Sequence, residues 1–301
     1  MSAVRTRLRR ALDRIAGPYA ARLEGRLAEV SAELRGVRAE NVKIMEALRA
    51  ISYEEPANRR RLFELRLDPS YELAFKERDP LVSFVVPTYD NHEALGAVSL
   101  PAILGQSYAN LEVIVIGDGA PPETADAIAA IDDPRVTYFN RPFRGPYSGA
   151  ARERWLASGT PAFNEGLLRA RGRWIAPMAD DDAARPDHTR TLVDAAQRHG
   201  YEACYGAMAV HFEDGRVCEL GEFPPRPGSM ALQATMYHGG LRFLHQELID
   251  SVFGESNDWS MTRRMMRIGV YIGMVDVVVT DKHEAKQTLE DYLLMEPRAV
   301  S

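Results

Sequence analysis

Apolar residues follow two different periods along this chain, and the change from one to the other falls near residue 81. Before that position they recur at alternating steps of four and three, as in a heptad repeat, at Leu23, Leu27, Val30, Leu34, Val37, Ile44, Leu48 and Ile51. Asn41 falls in the same seam, and one amide in an apolar seam favours a parallel two-stranded coiled coil. The pattern therefore predicts a helix within residues 1–52 that pairs in a homodimer; a single amphipathic helix packed on the globular domain is the alternative.

From residue 81 onward, short apolar runs alternate with amphipathic stretches. The runs predict strands at residues 82–86, 111–116, 136–139 and 173–178, and the stretches between them predict helices at 94–106, 122–131 and 162–170. Strands joined by single helices are typical of a parallel sheet that is covered on both faces. We therefore expect a mostly parallel α/β domain over residues 81–301, preceded by a linker at residues 53–80 that contains a short helix.

The overall composition narrows the class of protein. With 46% apolar residues the chain has enough material for a sizeable core, and its net charge of −6 argues against a nucleic-acid partner. Cys204 and Cys218 are the only cysteines, and neither has a spacing that is typical of zinc ligands.

No apolar run reaches the roughly 20 residues of a membrane span, and no signal peptide is recognisable, so we expect a cytoplasmic protein. The arginine-rich stretch before Pro18 is either a solvated helical face or a peripheral contact with anionic lipid at the inner face of the membrane.

Three consecutive acids, Asp180, Asp181 and Asp182, follow the apolar run at residues 173–178. Carboxylates at the end of a buried strand suggest a hard divalent cation such as Mg²⁺ or Mn²⁺, and a solvated acidic turn is the alternative. Ligands of parallel sheets bind at the carboxyl ends of the strands, a rule that places Tyr89 and Asp118 on the same rim as the triplet. Neither a GxGxxG fingerprint nor a P-loop occurs, so a nucleotide would be held in another way.

Several of these segments together resemble a known family. They are Val82-Ser83-Phe84-Val85-Val86-Pro87-Thr88-Tyr89, residues 106–115, and the stretch from Asn164-Glu165-Gly166-Leu167 through Gly172 to Asp182, followed by Pro186-Asp187-His188. In these motifs, over residues 81–273, the chain is similar to the inverting glycosyltransferases of family 2. The resemblance implies a GT-A fold and a nucleotide-sugar donor.

The resemblance also implies roles for individual residues. Pro87 and Tyr89 would lie beside the nucleotide base, Asp118 would accept a hydrogen bond from it, and Asp180 would lie near the ribose. Asp182, with Asp181 as its competitor, would bind the Mn²⁺ or Mg²⁺ that bridges the diphosphate of the donor. A Tyr89 buried in the core and an Asp118 that caps a turn are the structural alternatives.

Inversion at a sugar carbon requires a base opposite the leaving group, and the candidate is Asp258. The family often has Glu-Asp followed by an aromatic residue here, whereas this chain has Asn257-Asp258-Trp259. An N-cap role for Asp258 is the alternative, since the residue precedes an amphipathic stretch.

Gly117 is a second departure, because the family often has an acid there, and residues 144–160 form an unusually long connection. His283 is the candidate for a late metal ligand, and a satisfied surface or core histidine is the alternative.

The sequence thus predicts a hexosyltransferase-type enzyme that moves a sugar from a UDP-, GDP- or dTDP-sugar to a hydroxyl group, with inversion. By analogy with the family, the acceptor is a growing glycan in surface polysaccharide synthesis. A sugar-phosphate nucleotidyltransferase is the second hypothesis, although no basic phosphate loop follows the first strand. A non-catalytic scaffold assembled through the N-terminal helix is the third.

Overall fold

A computed structural model describes residues 22–23, 25–41, 43–45, 48 and 54–284. The chain divides into two compact units, residues 1–54 and residues 55–301. In the first unit the described residues are helical, and Leu23, Leu27, Val30, Leu34 and Val37 are each more than half exposed. The described residues are helical as predicted, but their apolar stripe is exposed, so the structure shows the predicted helix and not the predicted coiled coil. The arginine-rich stretch before Pro18, and Ile51, lie outside the described residues.

The second unit is built from strands and short helices. The strands are β1 (Val82–Thr88), β2 (Leu111–Gly117), β3 (Val136–Asn140), β4 (Trp174–Pro177), β5 (Asp182–Ala184), β6 (Ala203–Phe212), β7 (Val217–Leu220), β8 (Thr235–His238) and β9 (Ile272–Glu284). The helices are α1 (Glu55–Leu67), α2 (Leu73–Lys76), α3 (His92–Ala94), α4 (Leu100–Leu104), α5 (Pro122–Ala129), α6 (Ala151–Leu156), α7 (Thr160–Arg169), α8 (His188–His199) and α9 (Asn257–Ile268). A π-helical turn, Leu95–Ser99, joins α3 to α4.

The strands form one mixed sheet in the order β3-β2-β1-β4-β8-β6-β9-β5, with β7 paired to β6. β1 pairs in parallel with both β2 and β4, β2 pairs in parallel with β3, and β6 pairs in parallel with β9. The pairs β4–β8, β6–β8, β6–β7 and β5–β9 are antiparallel. The prediction of a mostly parallel sheet was therefore wrong. β8 lies antiparallel between β4 and β6. β6 and β7 are joined by a short turn at Gly215. Antiparallel neighbours of this kind need no crossover helix, so the alternation of strands and helices that predicts parallel pairing does not apply to them.

The parallel half of the sheet positions the polar rim. Phe84, Val115 and Trp174, on β1, β2 and β4, are completely buried, so the strand ends that follow them emerge from a rigid core at one edge. On one face of the sheet, α7 lies so close to β1 that a Cβ added at Gly166 would come within 2.4 Å of Val85 Cγ1. The glycine of the Asn164-Glu165-Gly166-Leu167 motif thus permits close packing of the helix on the strand.

Within residues 53–80, for which the sequence predicted a linker with a short helix, the structure has two helices, α1 and α2. α1 packs against α9, and α2 packs against α8 and accepts a hydrogen bond from the Trp174 indole of β4 on the carbonyl of Ala74. Arg66 on α1 donates two hydrogen bonds, of 2.6 and 2.7 Å, to the buried carboxylate of Glu202 just before β6. The same carboxylate accepts hydrogen bonds from Tyr71 Oη and from the backbone N–H of Tyr271. Burial raises the pKa of Glu202, but the hydrogen bonds from Arg66 and Tyr71 bring it below its usual value. Within the described ranges, no helix combines the length and the apolar character that crossing a bilayer requires.

Candidate active site

A cleft of about 700 Å³ lies at the carboxyl ends of β1, β2 and β4. Five of the residues predicted from the sequence line it, although they are far apart along the chain: Pro87, Tyr89, Asp118, Asp180 and Asp258. Its wall also includes Arg144 and Tyr147, from the connection that follows β3, together with Lys282 from β9. The residues that were predicted to share one rim of the sheet therefore lie around a single cleft.

One end of the cleft is organised around Asp118, which directly follows β2 and is only 3% exposed. Its carboxylate accepts hydrogen bonds from the guanidinium of Arg141, from the hydroxyl of Tyr147 and, at 3.0 Å, from the backbone N–H of Gly145. Burial and the bond to Asp118 raise the pKa of Tyr147, so its hydroxyl remains a neutral donor. Asp118 therefore anchors the connection after β3 rather than capping a turn.

Tyr89 lies beside this anchor at the end of β1 and is partly exposed rather than buried in the core. The guanidinium carbon of Arg144 lies 3.6 Å from the centre of its ring, which is a close cation–π contact. The same carbon lies 5.7 Å from the ring centre of Tyr147. In the structure, one face of Tyr89 is thus covered by an arginine from the long connection noted in the sequence.

Gly117 stands where the resembled family often has an acidic residue, and the structure gives a steric reason for the glycine. A Cβ at this position would lie 2.5 Å from Asn140 Oδ1 and 2.7 Å from the Tyr138 hydroxyl, both on β3. Asn140 uses its side chain to bond the backbone of Ala120, with Oδ1 accepting from the N–H at 2.9 Å and Nδ2 donating to the carbonyl at 2.8 Å. The asparagine holds the turn after β2, and the space it occupies excludes a side chain at Gly117.

Asp180 lies at the surface of the cleft between β4 and β5. It accepts hydrogen bonds from Thr88 Oγ1 at 2.7 Å and from Asn91 Nδ2 at 3.2 Å, which tie it to the end of β1. Burial raises the pKa of Asp180 to about 6, against the opposing effect of the bond from Thr88. This carboxylate is an acceptor held in place by two neutral donors.

Asp182 lies at the start of β5 and is completely buried. It is paired in the sheet with Lys282 on β9, whose Nζ lies 3.4 Å from Asp182 Oδ1 and 4.0 Å from Asp181 Oδ2. Burial raises the pKa of Asp182 to about 7, although the nearby Lys282 ammonium lowers it. Its second oxygen, Oδ2, has no hydrogen-bond partner among the described residues.

These residues do not fit the predicted Mn²⁺ or Mg²⁺ site as they stand. An unpartnered carboxylate oxygen favours a cation, but the Lys282 ammonium already lies beside both Asp181 and Asp182. In the part of the chain that the structure describes, no group of three or more His, Cys, Asp or Glu side chains is placed to hold a metal ion. The backbone of His283 pairs with that of His211 on β6; its side chain is outside the described part, and its ligand role stays a prediction.

Asp258 lies in the first turn of α9 and lines the same cleft as the strand ends. The N-cap of this helix is Ser256, whose Oγ accepts the backbone N–H of Trp259 at 3.4 Å. Asp258 therefore does not serve as the cap, and its Oδ1 instead accepts a hydrogen bond from Gln246 Nε2 at 3.3 Å. A carboxylate in a cleft, held by a neutral donor, has the chemistry of a general base.

Sequence reasoning missed four of the residues that shape this site: Arg141, Tyr147, Gln246 and Lys282. Arg141 follows the third predicted strand, so the rule that collects strand ends on one rim would have included it. Lys282 directly precedes His283 in the sequence, and no local pattern indicates that its side chain approaches the acidic triplet. Tyr147 and Gln246 lie in irregular connections, where no local pattern indicates which side chains approach the cleft.

Comparisons with known proteins identify the family of this chain. The model of the family described as "Glycosyl transferase family 2" matches residues 83–267. The succinoglycan biosynthesis protein ExoO of Rhizobium meliloti strain 1021 is 33% identical over 145 residues, which are 48% of this chain and 38% of that protein. The putative colanic acid biosynthesis glycosyl transferase WcaA of Escherichia coli K12 is 26% identical over 175 residues, 58% of this chain and 56% of that protein. The chain thus spans less than two thirds of either relative.

Solved structures show the same fold at low sequence identity. The S. aureus TarS 1–349 structure in complex with UDP has a TM-score of 0.52 and 13% identity, covering 71% of this chain and 62% of that one. The complex of the same protein with UDP-GlcNAc has a TM-score of 0.50 and 13% identity, covering 69% and 59%. These likenesses establish a GT-A-like fold, and the family match covers more than half of the sequence, so the chain belongs to glycosyl transferase family 2.

Proposed function

We propose that this protein transfers a sugar from a nucleotide-sugar donor to a hydroxyl group of a glycan, with inversion at the transferred carbon. The observation that carries the proposal is the position of Asp258, which faces the same cleft as Tyr89 and Asp118. A nucleotide held by the latter two residues would direct its sugar toward the carboxylate. The cleft volume of about 700 Å³ is within the range of small-molecule sites.

The end of the cleft around Asp118 is the proposed seat of the nucleotide base. An aromatic ring and a fixed carboxylate supply stacking and one hydrogen-bond acceptor, which together recognise a base with an N–H donor. Asp180, tied to Thr88 and Asn91, is the proposed acceptor for a ribose hydroxyl. Selection among UDP-, GDP- and dTDP-sugars would depend on how the base meets Arg141 and Tyr147, which share Asp118.

Asp258 is the proposed general base. It would take the proton of the acceptor hydroxyl while the acceptor oxygen forms its bond to the sugar carbon. The bond from that carbon to the diphosphate oxygen breaks with its electron pair, and the nucleoside diphosphate leaves. Arg226 and Lys282 also line the cleft, and their positive charge would stabilise the departing diphosphate. No step is assigned to Mn²⁺ or Mg²⁺.

The proposed acceptor is a growing glycan, because the names of the relatives ExoO and WcaA refer to succinoglycan and colanic acid biosynthesis. A further relative, 31% identical over 132 residues, is named UDP-Glc:alpha-D-GlcNAc-diphosphoundecaprenol beta-1,3-glucosyltransferase WfgD of Escherichia coli. Such an acceptor would place the reaction in the cytoplasm, at the inner face of the membrane.

The test combines binding and turnover. Calorimetric titration with UDP, GDP and dTDP identifies the base, and parallel titrations with Mn²⁺ test the predicted ion. With the matching sugar donor, Asp258→Asn should bind as tightly as the wild type but release nucleoside diphosphate at least about 100-fold more slowly. Asp126→Asn, the same change on the exposed face of α5, is the matched control. Full turnover by Asp258→Asn, or no binding of any nucleotide, would overturn the proposal.

A homodimer through the N-terminal helix is a separate proposal. Its support is the open apolar stripe, with Leu27 and Leu34 at 64% and 56% exposure and Asn41 in the same seam. Sedimentation of the full chain should give a dimer that Leu34→Glu dissociates, whereas Ala28→Glu, outside the seam, should not. A monomeric wild type would refute the proposal.

A further inference from the structure

Gln246 lies in the connection before α9 and is almost completely buried, at 4% exposure. Its side-chain Nε2 donates a hydrogen bond to Asp258 Oδ1 at 3.3 Å. A buried amide beside a carboxylate in a cleft fixes the rotation of that carboxylate and stabilises its charged form, provided that the amide itself is held in one orientation.

Neighbouring donors set the orientation of this amide. Gln246 Oε1 accepts a hydrogen bond from Asn257 Nδ2 at 3.1 Å and another from Thr160 Oγ1 at 3.3 Å. Asn257 is held in turn, because its Nδ2 also lies 2.9 Å from the carbonyl oxygen of Ser158. With its oxygen facing two donors, the Gln246 amide presents its N–H to Asp258. Reversing the amide would set its N–H groups against the N–H of Asn257 and its oxygen against the Asp258 carboxylate.

The backbone of Gln246 is anchored as firmly as its side chain. Asn164 on α7 donates from Nδ2 to the Gln246 carbonyl at 2.8 Å and accepts the Gln246 N–H on Oδ1 at 3.0 Å. The close approach of α7 to β1 at Gly166 fixes that helix on the sheet. A continuous set of contacts thus runs from the rigid sheet to the carboxylate of Asp258.

We propose that Gln246 is the positioning residue of the general base, and that Asn257 sets the orientation of Gln246. The inference rests on the proposed role of Asp258. It also gives a physical reason for the departure from the Glu-Asp pattern at Asn257. A carboxylate there has no N–H to donate, so it would attract the Gln246 amide nitrogen and turn it away from Asp258.

The first test measures steady-state kinetics of the full chain with the nucleotide-sugar donor. Gln246→Met keeps the size of the side chain but removes both polar groups. We expect kcat to fall about 10- to 100-fold, the range that corresponds to one lost hydrogen bond to a charged group. KM for the donor should change less than about twofold, since Gln246 acts through Asp258. Gln197→Met is the matched control, because that amide bonds the backbone of Ala74 and Glu77 away from the cleft.

A second variant covers the case in which Gln246→Met fails to fold. Asn257→Asp preserves the shape of the side chain but replaces the amide that donates to Gln246 and to the Ser158 carbonyl with a carboxylate. It should therefore lower kcat by a similar factor while calorimetry shows unchanged nucleotide affinity. If Asp258→Asn is inactive but Gln246→Met and Asn257→Asp both retain full kcat, the positioning role is overturned and the base assignment stands. If Asp258→Asn retains full kcat, the base assignment itself fails.

Discussion

Replacing Asp182 with asparagine is expected to stabilise the protein at neutral and alkaline pH. Asp182 is completely buried, one of its oxygens has no hydrogen-bond partner among the described residues, and a positive charge, the Lys282 ammonium, lies 3.4 Å from its other oxygen. Burial raises its pKa from the usual 3.8 to about 7. Between these two values the folded protein holds a proton that the unfolded chain has released, so the free energy of unfolding falls as pH rises through this window.

The magnitude follows from the width of the window. The interval from 3.8 to about 7 spans about three pH units, and each unit corresponds to about 1.4 kcal/mol, which gives an upper limit of about 4 kcal/mol. Relaxation around a buried charge lowers this limit, and we expect about 2–3 kcal/mol. Asp182→Asn should therefore exceed the wild type by this amount at pH 8 and by nearly nothing at pH 4.

Other groups titrate in the same range with the opposite sign. Burial lowers the pKa of His188 and of His238 to about 4, so each of these residues makes stability rise with pH between about 4 and 6.5. The measurement must therefore be the difference between variant and wild type, obtained by urea denaturation at pH 4, 6 and 8. Asp181→Asn, at a neighbouring carboxylate that is 43% exposed, is the matched control and should change stability by less than about 1 kcal/mol. A difference that is independent of pH, or an Asp182→Asn variant less stable than the wild type at pH 8, would refute the reasoning.

Two further predictions concern packing and a buried ion pair. Gly117→Ala should lower the free energy of unfolding by about 1–3 kcal/mol in urea denaturation, because the new methyl group would displace Asn140; an unchanged midpoint would contradict the packing argument. Arg66→Met should cost about 3 kcal/mol in the same assay by leaving the Glu202 carboxylate without its cation, whereas Arg59→Met, which removes an exposed pair, should cost less than about 1 kcal/mol. Equal losses in the two arginine variants would show that burial does not matter there.

The strands of the parallel half could be predicted closely from local sequence. Residues 82–86 and 111–116 were expected as strands, and β1 and β2 span residues 82–88 and 111–117. A continuous apolar run bounded by turn residues is a local signal, and it is sufficient for a strand that is buried on both faces. The rim position of Tyr89 and Asp118 followed from these two strands, and that of Asp180 from the strand predicted at residues 173–178.

The second half of the sheet depends on pairings between distant segments, which no local pattern specifies. Asp182 was expected at the end of a strand, but it begins β5, which pairs with β9 one hundred residues later. This pairing buries Asp182 and brings Lys282 against it, so the predicted metal ligand is beside an ammonium group. The role of Gln246 was invisible for the same reason, since its partners Asn257 and Thr160 meet it only in the folded chain.

The contact between Arg144 and Tyr89 has a consequence for ligand entry. A nucleobase that stacks on the covered face of the ring must first exchange places with the guanidinium, which lies 3.6 Å from the ring centre. The measured dissociation constant is then the intrinsic constant divided by the fraction of molecules in which that face is open. If a nucleotide binds at Tyr89 as proposed, its affinity would be reduced by the same factor whatever its base, so Arg144 would speed product release without altering the choice among bases.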